Sequence, residues 1–139
     1  MIISRHVGDV RRKVISTLLL SLIDMCVVDL DAVKGVTRLH DVIYVVLEWK
    51  RDSIMRFSAT TYEQLTDIVV EGLKEPRDIV ACERTSELYI AVKRFIWRVS
   101  SDGADVQCGP PVDYRPQSLS VTSTRLLVTF FAINQQSGT

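Results

Sequence analysis

One pattern recurs along this chain at a nearly constant interval, and it limits the possible folds more than any composition figure does. An apolar strand, a short turn and a second strand rich in aromatic and β-branched residues occur three times. They read GVTRLHDVIYVV (Gly35 to Val46), PRDIVACERTSELYIAV (Pro76 to Val92) and PQSLSVTSTRLLVTF (Pro116 to Phe130). Val36, Ile79 and Leu119 in the first strands follow at steps of 43 and 40, and Tyr44, Tyr89 and Leu127 in the second at 45 and 38. A third strand holds the register: SIMRFS (Ser53 to Ser58) superposes on FIWRVS (Phe95 to Ser100), with Ile54 on Ile96, Arg56 on Arg98 and Ser58 on Ser100, each 42 apart. Within SIMRFS, Ile54, Arg56 and Ser58 share one face and Met55 and Phe57 the other, the period of two that a pleated strand imposes.

A fourth strand completes two of the units. QLTDIVV (Gln64 to Val70) follows a polar turn from Ala59 to Glu63, and ADVQC (Ala104 to Cys108) follows SSDG (Ser100 to Gly103). Asp102-Gly103 between alternating runs is a hairpin signal, because glycine accepts a positive φ that strains other residues. Pro76, Pro110, Pro111 and Pro116 all fall between units, where the missing N–H interrupts no central ladder. Four antiparallel strands every ~40–50 residues is the spacing of propeller blades. The expected fold is all-β: a partial, open β-propeller of antiparallel four-stranded blades over residues 32–139, about two blades and part of a third. Residues 1–31 form an N-terminal segment, in which Cys26 to Val28 reads as the last strand of a preceding blade and Val14 to Ile23 as a strand or a short helix. Typical propellers need four to eight blades to close. The reading is therefore of a truncated propeller, with open strand edges inviting self-association.

The run P-x-D-I-V-A-C-E-x-T-S-E-L-Y-I-A followed by I-W-R-V-S-x-D-G, within residues 76–103, resembles the NHL-type repeats of β-propellers and a group of uncharacterised invertebrate propeller-like proteins. The family's Asp after the second strand is replaced by Val46 and Val92, and Tyr89 to Ile96 is three residues shorter than Tyr44 to Ile54. The resemblance implies a non-catalytic module that binds a protein partner through its blade loops; in some members it implies RNA or recruitment of substrates to ubiquitin ligases. A propeller enzyme of the sugar-lactone hydrolase kind, with a divalent metal held by Glu, Asn and Asp, is the alternative. Asn134 is its only asparagine. A degraded or partial gene product is a third reading.

Charge and cysteine usage narrow the partners. Seventeen Lys+Arg balance 17 Asp+Glu, which argues against nucleic-acid binding by phosphate neutralisation. Cys26, Cys82 and Cys108 form no CxxC and stand at no zinc spacing, so a reduced cytoplasmic setting with small buried thiols is expected, and no cofactor or metal. Arg11 to Lys13 before VISTLLLSLI has the outline of a signal peptide without a small-x-small cleavage site. That run falls far short of the ~20 apolar residues a membrane span needs.

Few side chains point to chemistry. His40-Asp41 reads as a turn rather than a base and its orienting acid, and Ser120 and Ser123 lie outside any G-x-S-x-G elbow. Trp97 is expected between blades. Arg56 and Arg98 are expected to pair across strands with carboxylates. Trp49, Lys50 and Arg51 form an aromatic-basic cluster in a loop and are the candidate protein-contact residues.

Overall fold

The computed structural model describes residues 33–48 and 52–130. All ten elements in it are strands. β1 (Val33–Leu39), β2 (Val42–Leu47), β3 (Ser53–Ser58) and β4 (Gln64–Val69) form one antiparallel sheet in sequential order. β5 (Pro76–Cys82), β6 (Glu87–Val92), β7 (Phe95–Ser100) and β8 (Val106–Cys108) form a second, and β9 (Pro116–Val121) pairs with β10 (Leu126–Phe130) in a third. These are two four-stranded blades and the inner half of another, a partial propeller as the repeat predicts. The expected reading of residues 1–31, Cys26 to Val28 included, lies outside the described residues.

The register recurs from blade to blade. Val36 faces Val45, Ile79 faces Ile90 and Leu119 faces Val128. Each innermost pair also carries a register shift at the same place, between Val33 and Gly35, between Pro76 and Asp78, and opposite Thr129 and Phe130. Such a bulge bends the strand and adds twist, which turns each blade relative to the next. The turns follow local chemistry. Gly103 adopts φ 80°, and the Asp102 carboxylate accepts hydrogen bonds from Ser100 Oγ (2.7 Å) and the Ala104 N–H (3.0 Å). The short link between β6 and β7 is a tight two-residue turn with Lys93 at φ 55°.

Alternation sorts the apolar residues onto two faces. Leu39, Tyr44, Val46, Ile54, Ile68, Val70 and Leu73 of the first blade meet Ile79, Leu88, Ile90, Val92 and Val99 of the second in one buried cluster, with Trp97 packed against it as expected. Burying each such aliphatic side chain contributes roughly 1.5–3 kcal/mol relative to leaving it exposed. Polar contacts then lock the blades. The Ala81 N–H donates to Thr37 Oγ1 (3.1 Å), and the buried Tyr44 hydroxyl donates to the Ser101 carbonyl (3.1 Å). Asp78, 1% exposed, accepts the Ile79 N–H on Oδ1 (2.9 Å) and the Leu119 N–H of the third blade on Oδ2 (2.7 Å).

Candidate functional site

An antiparallel meander sends its turns to two opposite ends. One end holds the first turns of the blades (residues 40–41, 83–86 and 122–125) and the turns at 59–63 and 101–105; the other holds residue 93–94 and the connections between blades. The second end is occupied by its own bonds. Asp52 Oδ1 accepts the Gly72 N–H (2.9 Å), the Asp52 N–H donates to the Leu73 carbonyl (2.8 Å), and Arg94 Nε donates to the Val112 carbonyl (2.8 Å). The first end carries turn bonds of its own, and a cleft lies there between the second and third blades.

The cleft holds about 70 Å³, lined by Cys82, Arg84, Thr85 and Tyr89 of the second blade and by Thr122, Thr124, Arg125 and Leu126 of the third. Its walls are rigid for local reasons. Thr122 Oγ1 accepts the N–H groups of Thr124 (3.3 Å) and Arg125 (2.9 Å), while the Thr122 N–H donates to the Arg125 carbonyl (2.8 Å). A threonine that bonds its own turn in this way fixes the backbone beneath Arg125. Cys82 closes β5 and is buried. Hydrogen bonds from the Thr85 hydroxyl and N–H, with a smaller contribution from Arg84, hold its thiol below the ordinary cysteine range. Burial pushes the Tyr89 phenol up, and the Glu87 carboxylate adds to that; its hydroxyl lies 3.4 Å from Glu87 Oε1.

Small-molecule pockets run to ~300–1,000 Å³, so this cleft falls below that range and has room for little more than one side chain. The lining includes two arginines and four hydroxyl side chains, Thr85, Tyr89, Thr122 and Thr124, and arginine binds a carboxylate with paired, charge-assisted hydrogen bonds.

The thiols give a direct check. Cys108 is exposed, contrary to the expectation of small buried thiols, because it ends the outermost strand β8, and local burial pushes its thiol up. Since the thiolate is the reactive form, the pH profile of alkylation should have a lower midpoint for Cys82 than for Cys108. Thr85→Val should move the Cys82 midpoint upward and leave that of Cys108 in place. Single-cysteine chains followed by mass spectrometry read both.

The other sequence candidates disperse. Trp49, Lys50 and Arg51 lie outside the described residues; their flanks Glu48 and Asp52 stand at the end opposite the cleft. His40 and Asp41 form the β1–β2 turn as expected, with Arg38 Nε donating to the His40 carbonyl (2.8 Å) and His40 Nε2 lying 3.5 Å from Ser86 Oγ. Ser120 is buried within β9. Arg98 meets Glu87 at 3.6 Å. Arg56 departs from the expectation of a carboxylate: its Nε donates to the Thr66 carbonyl at 2.7 Å, because its β4 neighbour across the strand is Leu65. Among the described residues no group of three His, Cys, Asp or Glu is placed to hold a metal. Sequence reasoning missed the cleft, whose only linear signal is Arg84-Thr85 and Thr124-Arg125 in equivalent turns.

No protein-family model and no curated protein matches the chain. Solved structures do. A chain of the nidogen/laminin complex aligns over 74% of this chain and 42% of its own length at TM-score 0.62 and 19% identity. Hydrazine synthase of Kuenenia stuttgartiensis aligns over 63% and 26% at TM-score 0.53 and 15% identity. The Pan2 WD40 domain of Neurospora crassa aligns over 66% and 32% at TM-score 0.52 and 9% identity. At these identities the shared property is the fold, a propeller. The chain spans less than half the length of each of these neighbours.

Proposed function

We propose that the chain is a non-catalytic propeller interaction module of the NHL-like kind, which grips an acidic side chain of a protein partner in the cleft between its second and third blades. The observation that carries this reading is that Arg84 and Arg125, from neighbouring blades, both line a cleft with room for little more than a single side chain. The nidogen/laminin neighbour was solved as a complex of proteins, which supports the same class of role. We place this module in the cytoplasm, as the cysteine usage of the sequence suggests.

A random peptide library displayed against the chain tests the proposal. Peptides with Asp or Glu at one fixed position should be enriched, and their affinity should fall with rising salt, as exposed charge pairs do. The double variant Arg84→Glu/Arg125→Glu should weaken them at least about tenfold, and Lys74→Glu at the other end should not. Selection without an acidic position, or binding indifferent to the double variant, contradicts it.

A further inference from the structure

Among the described residues the third blade has two strands, and β10 pairs only with β9. In the complete blades the corresponding strands, β2 and β6, carry a partner on both sides. Leu119 faces Val128 as Ile79 faces Ile90 and Val36 faces Val45, so Leu126 and Val128 stand where Leu88 and Ile90, and Ile43 and Val45, stand in the other blades. Those four residues are at most 4% exposed, whereas Leu126 and Val128 are only half-buried.

The chain shows twice what such an edge receives. An antiparallel third strand sets Met55 opposite Val45 in the first blade, and Trp97 opposite Ile90 and Val99 opposite Leu88 in the second. Past Val99 the second blade's strand runs on to the end of the blade, where the Tyr44 hydroxyl of the first blade donates to the Ser101 carbonyl (3.1 Å). Tyr89 is the equivalent of Tyr44, since each faces the matching arginine, Arg98 or Arg56. Tyr89 and Leu126 both line the cleft between the second and third blades. The cleft is therefore the place that the end of a third strand fills at the first junction.

We propose that the edge of β10 takes an extended segment of a partner protein as an antiparallel third strand, whose end carries the acidic side chain into the cleft; this rests on the function proposed above for the acid. The register specifies the segment: an apolar residue opposite Val128, a second two positions on opposite Leu126, and Asp or Glu two positions further, at the place of Ser101. In strand addition of this kind the backbone supplies affinity and alternate side chains supply specificity. Charge favours a partner over the chain itself. The third strands of the first two blades carry Ala59 and Ser101 at the acid's place, and residues 131–139 contain no Asp or Glu.

Calorimetric titration of the full chain tests it, with a capped seven-residue peptide that has the sequence of Phe95–Ser101 but carries Ser101→Asp. Every second N–H of an added strand points at its neighbour. N-methylation of one peptide nitrogen at a time should therefore weaken binding at least about tenfold at alternate positions and little between them. Alternating sensitivity supports strand addition even if Ser at the last position binds equally well, a result that would remove the acid grip alone. Binding that needs the acid but responds evenly, or not at all, to N-methylation would overturn strand addition and leave the acid grip standing. No binding of the peptide would overturn it as well. A peptide that acts only by dissociating a dimer of the chain would overturn it in favour of a second copy, and binding seen only after deletion of residues 131–139 in favour of the chain's own tail.

Discussion

Asp78→Ala is expected to destabilise the fold by about 2–6 kcal/mol, because it strips the acceptor from two N–H groups, each worth roughly 1–3 kcal/mol when buried and unsatisfied. The carboxylate is 1% exposed and joins its own strand, through the Ile79 N–H, to the third blade, through the Leu119 N–H. Ile79 and Leu119 are themselves 0% and 1% exposed, so the two amides lie in the interior. In a domain of this size each kcal/mol moves the melting midpoint by roughly 4–8 °C, so a fall on the order of 15 °C is expected. Ser118→Ala, at the equivalent place in β9, should cost only about 1 kcal/mol, since its hydroxyl bonds Thr129 within one blade. Urea or thermal unfolding followed by circular dichroism measures both. A midpoint for Asp78→Ala within a few degrees of the parent would remove the blade-bridging role.

The second large effect is expected at Gly35, which packs closely against Asp78 of the neighbouring blade. A Cβ there would lie 2.8 Å from the Ile79 backbone N, 3.0 Å from Asp78 Oδ1 and 3.1 Å from the Asp78 Cα. Two of those atoms are backbone, so relief requires the blades themselves to part. At a strand position with room, replacing glycine by alanine stabilises by about 0.4–1 kcal/mol through the unfolded chain. Here overpacking, typically costing 1–3 kcal/mol, outweighs that gain, and Gly35→Ala should destabilise by about 1–2 kcal/mol and Gly35→Val by more. The two sites touch, so Gly35→Ala and Asp78→Ala should not add. Unfolding of the single and double variants gives the coupling. A stabilised Gly35→Ala would mean that the first two blades do not approach so closely.

The blade pattern was legible in the sequence because it rests on local rules. Alternation in SIMRFS and FIWRVS, the Asp102-Gly103 turn and prolines between units each constrain only neighbouring residues, and together they fixed the strands and Trp97 at the blade junction. Asp78 was not legible. An aspartate inside the apolar strand DIVAC reads as an exception until the third blade is placed beside it, and its role depends on Leu119, 41 residues on. The cleft was hidden for the same reason, since Arg84 and Arg125 come to line one cleft only through packing between blades. Arg56 illustrates a smaller limit. Pairing rules say which strands its side chain crosses, but Leu65 opposite it offers no charge, and a backbone carbonyl takes the bond instead.

The most direct measurement of the repeated-blade architecture is the set of NMR nuclear Overhauser contacts between backbone protons. Cross-strand contacts for Val36 with Val45, Ile79 with Ile90 and Leu119 with Val128, together with an inter-blade contact between Gly35 and Asp78, are the expected result. Sequential amide contacts of helical type from Val33 onward, or three hairpins formed without the Gly35 to Asp78 contact, would contradict it.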